Sequence, residues 1–322
     1  METFKKLYEK PNTDLWHGRM DGESPEYLRW HQVVDCVDLA EVSGLTNSVV
    51  LLGFCCDEGV RRNLGREGAK AAPDYLRKVL SNLPLHFSEN IKLVDAGNIN
   101  TNGYDLESAH EALAIAVQKI RAAGGFPLLI GGGHEITYGH YKGLYNSTRS
   151  IGVINLDAHL DMRPLMDDKQ NSGTSFYQLN KDLFDVGKRL NYLAIGIQEI
   201  SNTKGLLTYA ESQGVEIIYG KELVPHHIDA VKTKIEQFAQ QVDDLYFTID
   251  MDVFAAAFAP GVSAVAYDGI IPDSNFYELL SFIYQQPNLI SMDIAELNPR
   301  FDLDERTAKL AANLIFQFLQ KF

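Results

Sequence analysis

Cysteine is scarce in this chain. Its 322 residues include three, Cys36, Cys55 and Cys56, too few for a disulfide framework. Cys55 and Cys56 are adjacent in an apolar run and read as small buried hydrophobes. Long apolar runs are also missing: no stretch approaches the roughly 18 residues of a membrane span. The opening METFKKLYEKPNTDLWHGRM carries no apolar core of a secretory signal. Redox and targeting signals together lead to an expected cytoplasmic location. Positive charge is in short supply, with 29 Lys and Arg against 43 Asp and Glu and a net charge of -14. Such a chain is a poor partner for nucleic acid or an anionic membrane. An anionic substrate would need local cations at its site. Internal repeats, low-complexity tracts and long Gly/Ser/Pro linkers are absent as well.

What remains is an ordinary globular balance, 45% hydrophobic and 22% charged. Short apolar runs occur at 48–54, 92–97, 126–132, 151–159, 191–197, 215–220, 245–252 and 288–297. Most are short and rich in β-branched residues, as buried strands are. Helical periodicity fits between them. The clearest case is Leu106–Ala123, with Asp105 as N-cap, an apolar stripe of Leu106, Leu113, Val117 and Ile120, and Gly124-Gly125 as the stop. Further helices are predicted at about 70–81, 203–212, 227–240, 273–285 and 304–321, and His140 falls in another after GGGHE. Uninterrupted alternation of strand and helix implies a three-layer αβα fold, its central sheet mainly parallel with about eight strands. The chain, 1–322, is expected to form one domain, with residues 1–40 as an arm or a cover over the sheet edge.

In open parallel sheets, ligands bind at the carboxyl ends of strands. Acids and histidines collect at three such ends. GGGHE places His134 after one run, LDAHLD places Asp157, His159 and Asp161 after another, and IDMD places Asp250 and Asp252 after a third. Alternation along an extended chain would point 157, 159 and 161 the same way, and likewise 250 and 252. A lone DxD is commonly just a turn or cap; the joint placement at three strand ends makes the chemistry. Four carboxylates in one crevice repel or take up protons, and two divalent cations would neutralise them. Carboxylates with imidazole and no thiolate suit Mn²⁺ better than a soft metal. Two such ions can share one water and lower its pKa towards neutrality.

At these residues the sequence resembles the ureohydrolases, that is arginases, agmatinases, guanidino-acid hydrolases and formimidoylglutamases. GGGHE, DAHLD and the DxD of TIDMDVF match the metal motifs in order and spacing, SMDIAELNP matches a fourth motif, and the likeness runs from about 48 to 322. It implies the arginase-like αβα fold with two Mn²⁺ per chain, held by His134, Asp157, His159, Asp161, Asp250 and Asp252. Glu296 is then the carboxylate that grips the planar amidinium of the substrate in a fork. WHGRMDG, RWHQ, DEGVRRNLGREGA, DMRP, NSGTSF and FAPGVSA resemble the formimidoylglutamase branch. That branch hydrolyses N-formimidoyl-L-glutamate to L-glutamate and formamide, in histidine degradation. The substrate is a dicarboxylate amidine, and Arg163 and Arg66 are candidates to bind it, with Arg61 and Arg62 in the same basic run. Arginase-like members carry a histidine where alignment on Ser172-Gly173 places Phe176, and the Asp-Pro that follows DxD in many relatives is replaced by Val253-Phe254. A guanidino-acid hydrolase releasing urea and a non-catalytic metal-binding protein of the same fold are the alternatives. Relatives form trimers or hexamers, so the resemblance also implies a homo-oligomer.

Overall fold

A computed structural model describes residues 1–101, 103 and 105–322. The eight apolar runs all become strands, β3 (Ser48–Cys55), β4 (Lys92–Asn100), β5 (Phe126–Ile130), β6 (Ile151–Leu156), β7 (Asn191–Ile197), β8 (Glu216–Tyr219), β9 (Asp244–Asp250) and β10 (Leu289–Ala295). Two short strands of the first 40 residues, β1 (Tyr8–Glu9) and β2 (Asp35–Cys36), both pair with β4. The sheet is therefore ten-stranded among the described residues rather than about eight-stranded, in the order β1-β4-β3-β5-β10-β9-β6-β7-β8 with β2 also beside β4. Only β1 runs antiparallel; the remaining pairings are parallel.

Alternation in the strands feeds two cores, one on each face. Leu128, Ile154, Leu193, Phe247 and Met292 join one, together with the helices Ala72–Leu80, Ile228–Gln240, Ser274–Tyr284 and Arg306–Leu319. Leu129, Val153, Ala194 and Tyr246 join the other, under the helices Leu106–Ala122, Ile136–Leu144 and Ser175–Asp185. Asp105 caps the first of these by accepting from the Ser108 amide at 2.7 Å. The helix Ser175–Asp185 is absent from the sequence expectations. Its apolar positions Phe176, Leu179 and Leu183 are few, and it follows a polar loop directly.

A buried ion pair anchors β4. Arg77 donates to both oxygens of Asp95, Nε to Oδ2 at 2.9 Å and Nη2 to Oδ1 at 2.8 Å, and the Trp16 indole donates to the same carboxylate at 2.8 Å. Arg77 is 1% exposed and Asp95 0%, so each charge depends on the other. Nη1 of Arg77 also reaches Asn98 and Nη2 the Gly97 carbonyl. Removing one partner strands the other charge in the interior, at a cost of about 3–5 kcal/mol. Asp95→Asn should lower unfolding stability by that order in urea titration. A loss below about 1 kcal/mol would show that Arg77 is re-solvated, contrary to its burial.

Candidate metal centre

The carboxyl ends of four neighbouring strands meet at one place. The sheet order runs β5-β10-β9-β6 through its middle. His134 lies just beyond β5, Asp157, His159 and Asp161 just beyond β6, Asp250 at the end of β9, and Glu296 just beyond β10. All six predicted metal-binding residues and Glu296 are brought together.

The local geometry differs from simple alternation along extended strands. β6 ends at Leu156 and β9 at Asp250, so the convergence is made by turns. Asp157 Oδ1 accepts from the His159 amide at 2.7 Å, and Asp250 Oδ1 accepts from the Asp252 amide at 2.8 Å. These are the side-chain turns that Asp favours, so each DxD-like segment serves as turn and candidate ligand pair at once. Asp161 and Glu296 sit at φ of 47° and 66°. Non-glycine residues rarely adopt that left-handed region, and its use at a cluster of acids marks a site whose surroundings enforce it. The second glycine of GGGHE is required by a close approach: a Cβ on Gly132 would lie 1.6 Å from the Cys56 carbonyl.

His134 Nδ1 stands 3.1 Å from Asp157 Oδ2, 2.9 Å from Asp161 Oδ2 and 3.2 Å from Asp250 Oδ2. A single N–H cannot satisfy three carboxylates; a multiply charged cation can. His159 Nδ1 lies 3.2 Å from Asp252 Oδ2 and 3.5 Å from Asp157 Oδ1. The donors of His134, Asp157, Asp161 and Asp250 fall within 4.8 Å of one another, as do those of Asp157, His159 and Asp252. Asp157 belongs to both sets, the position of a carboxylate that two ions share. The donors are hard or borderline and include no thiolate, so the residues fit a pair of divalent ions of the Mn²⁺ type.

The charges record the same strain. Burial would depress the His134 imidazolium, but hydrogen bonds to Asp157 and Asp161 and the charge of Asp250 hold it well above its ordinary range. His159, likewise opposed by burial, is pushed up to about 12 by Asp252 and Asp157. Burial and then the neighbouring carboxylates raise Asp161, Asp250 and Asp252. Burial also raises Asp157, yet the two histidines prevail and hold it below the carboxylate range. Glu296 is raised well above its usual value by burial and then by the charge of Glu135. Glu135, which the sequence left without a role, accepts from the Gly59 amide at 2.8 Å, and burial pushes it up to about 8.

A cavity of about 70 Å³ is lined by His134, His159, Asp161, Asp250, Asp252 and Glu296 of the cluster and by Asn63, Arg163, Ser172, Ser263 and Ala264, with Arg163 exposed and most of the acids buried. Arg163 is at the mouth, donating from Nη1 to Asn63 Oδ1 at 3.0 Å; no ion pair to Asp167 or Asp168 forms among the described residues. Arg66 is elsewhere. Its guanidinium donates to the carbonyls of Val262 and Ser263 and stacks 4.1 Å from the Phe301 ring centroid, and it does not line this cavity. That placement fastens the 262–263 loop and offers no support for substrate contact by Arg66. Arg61 pairs with Glu58, and Arg62 with Glu58 and Glu107. Phe176 stacks on Tyr192 with centroids 4.0 Å apart and meets the His134 ring edge-on at 6.2 Å. His140 is buried in hydrogen bonds to Asp293 and Ser291, both 2.6 Å, away from the cavity. The sequence did not single out Asn63, nor the polar residues beneath the cluster. Thr248 donates to Asp293 at 2.5 Å, so its oxygen accepts from His134 Nε2 at 3.0 Å and leaves Nδ1 as the ring atom for a cation. Thr248 and Asn155 could have been noticed as polar residues in otherwise apolar buried strands.

The arginase-family model matches residues 47–320. The chain belongs to the arginase family. Among curated relatives, the arginase-family chain is 38% identical to the formimidoylglutamase of Clostridium tetani over 97% of its own length and 95% of that protein. It is 39% identical to that of Geobacillus thermodenitrificans, covering 98% of both chains, and 40% identical to that of Rhodococcus opacus, covering 95% of both. Among solved structures, Trypanosoma cruzi formiminoglutamase with Mn²⁺₂ superposes with a TM-score of 0.77 at 29% identity, over 88% of this chain and 95% of that one. Bacillus subtilis formimidoylglutamase, 24% identical, shares the fold with a TM-score of 0.78 over 94% and 95% of the two chains. The three-layer architecture of the arginase fold is thus present in this chain. No helix among the described residues is long and apolar enough to cross a membrane.

Ions must displace the protons that these groups hold. Both histidines are shifted upwards, so affinity for Mn²⁺ should rise as pH rises from 6 to 9. Calorimetry in buffers of different ionisation enthalpy should detect at least one proton released per ion. Uptake without proton release would mean that ions bind elsewhere.

Proposed function

We propose that this chain hydrolyses N-formimidoyl-L-glutamate to L-glutamate and formamide at a centre of two Mn²⁺ ions. The observation that carries the proposal is the polarity of one small cavity. The cavity is lined by buried acids and an exposed arginine, opposite in sign to the amidinium at one end of the substrate and the carboxylates at the other. The named activity of relatives matched along nearly their whole length supports the same substrate.

His134, Asp157, Asp161 and Asp250 would hold one ion, and Asp157, His159 and Asp252 would hold the other. When bound, the ions supply Lewis acidity and bring a water's pKa near neutrality. Glu296 orients the amidine. Its Oε1 accepts from the His134 amide at 2.9 Å, while buried Oε2 has no protein partner, and the residue lines the cavity. An amidinium offers N–H donors to that free oxygen, and its positive charge favours the ionised carboxylate. Arg163, steadied by Asn63, meets a substrate carboxylate at the mouth. In the net reaction the water oxygen ends on the formimidoyl carbon, the carbon–nitrogen bond to glutamate breaks, and both water protons end on the glutamate nitrogen, so the cationic amidinium gives neutral formamide and the glutamate ammonium. Phe176, locked against Tyr192, supplies no titratable group to this transfer. A cytoplasmic, homo-oligomeric enzyme, trimer or hexamer, completes the proposal.

The deciding assay is for product. Mn²⁺-loaded protein should release formamide from formimidoylglutamate and no urea from arginine, agmatine or guanidinobutyrate; urea as main product would replace the reading with a guanidino-acid hydrolase. Elemental analysis should find two Mn²⁺ per chain, and Asp252→Asn should retain close to one with turnover largely lost. Full metal content and rate in that variant would remove Asp252 from the ligand set. Arg163→Ala should leave metal content intact and raise KM. Charged hydrogen bonds contribute roughly 1.5–3 kcal/mol, about 10- to 150-fold, and the solvent exposure of Arg163 places the effect near the lower end. An unchanged KM would leave Arg163 a surface residue.

A further inference from the structure

The strand that feeds DAHLD carries one polar residue in its interior, Asn155, and it is fully buried. Alternation puts it on the same face as Val153, whose side chain joins the core beneath Leu106–Ala122 and Ser175–Asp185. Register then aligns it with Thr248 of β9, and Thr248 with Asp293 of β10. A polar row of three strands thus crosses the sheet directly below the candidate ligands. Thr248 meets His134. Asn155 meets Asp157: its Nδ2 donates to Asp157 Oδ2 at 3.1 Å and to Tyr192 Oη at 2.9 Å.

The orientation of this amide is decided by its neighbours. Tyr192 spends its single proton on the Leu160 carbonyl at 3.1 Å, so its oxygen must accept from Asn155. The reverse orientation would also aim the amide oxygen at the Asp157 carboxylate. Tyr192 is held in turn by stacking on Phe176. A continuous chain therefore runs from Phe176 through Tyr192 and Asn155 to Asp157, and Tyr192 also ties down the backbone of Leu160, between His159 and Asp161.

This arrangement carries a cost. Asn155 Oδ1 is buried with no protein partner, a penalty that a leucine of similar size would not bear. A residue kept for packing alone would not need an amide here. We propose that Asn155 is a positioning residue, which with Tyr192 fixes the Asp157 carboxylate in the orientation that two cations can share. The inference rests on the assignment of Asp157 to the metal centre. It explains why the shared carboxylate is aimed from the strand that leads into its turn: Asn155, two residues before Asp157, is where that strand brings an amide within reach of it.

The test separates metal affinity from folding. Wild type, Asn155→Leu, Tyr192→Phe and Asp157→Asn are prepared metal-free, and Mn²⁺ affinity is measured by competition with a chelating dye alongside thermal unfolding of the metal-free forms. Removing partners that orient metal ligands typically weakens binding about 10- to 100-fold. Asn155→Leu should lose Mn²⁺ affinity by that order while its metal-free melting temperature stays equal to or above wild type. Tyr192→Phe, which keeps the ring stack, should lose affinity less, in the same direction. Wild-type affinity in both variants, beside a wild type that binds two ions and loses them in Asp157→Asn, overturns the positioning role and leaves the metal centre standing. Should Asp157→Asn bind Mn²⁺ as wild type does, the metal assignment itself fails, and the inference with it. Loss of melting temperature in Asn155→Leu with unchanged affinity would show a purely structural amide and also refute it.

Discussion

Four aspartates and a glutamate crowd one buried crevice, and their mutual repulsion is the constraint to which the rest of the structure answers. Burial and the neighbouring charges raise Asp161, Asp250, Asp252 and Glu296 together. A protein has few ways to keep such a group of acids: protons, cationic side chains or metal ions. Here two histidines already stand among them, and one ring nitrogen faces three carboxylates at once. That geometry is poor for a proton and good for a doubly charged ion. The acidity of the cluster also complements the cationic amidinium of the proposed substrate, for which Glu296 Oε2, a buried carboxylate oxygen without a protein partner, is the proposed acceptor.

Rigid surroundings make the crowding possible. The clustered acids and histidines follow strands buried on both faces, and the strands are held in parallel register across the sheet centre. Turns closed by the side chains of Asp157 and Asp250 themselves bend the chain at the strand ends. Left-handed Asp161 and Glu296 store backbone strain that the packing must overcome. Beneath them the polar row of Asn155, Thr248 and Asp293 aims what the turns have gathered. Far from the crevice, Arg77, Asp95 and Trp16 anchor β4 with a buried charge pair, so the first residues of the chain belong to the same packed structure.

The cluster of acids and histidines was legible because donor types of this kind at strand ends are rare without a shared purpose. His134, Asp157, His159, Asp161, Asp250 and Asp252 could be named from composition at strand ends, and the helix Leu106–Ala122 from period and cap. The basic run was not legible in the same way. Arg61, Arg62, Arg66 and Arg163 are chemically alike in sequence, yet Arg163 lines the cavity, Arg66 fastens a loop, and Arg61 and Arg62 pair with acids nearby. Long flexible side chains reach several partners, and only their surroundings choose among them. Alternation likewise suggested the convergence of these acids for an incomplete reason, since Asp157 and Asp250 belong to turns at the strand ends.

The sequence by itself determined the chemistry and the building blocks: apolar runs too short for a membrane, alternating with helices, three of them ending in acids, histidines or both. It did so because strand periodicity and donor type are local properties. What only the tertiary structure decided is adjacency. β5 and β6 are consecutive in the chain, yet β10 and β9 lie between them in the sheet. That insertion brings Glu296, more than a hundred residues after Asp161, to the same cavity, and sets Asn155, Thr248 and Asp293 in one row. Strand order is fixed by how two hydrophobic faces are covered by helices on both sides, a balance summed over the whole chain that no single segment records.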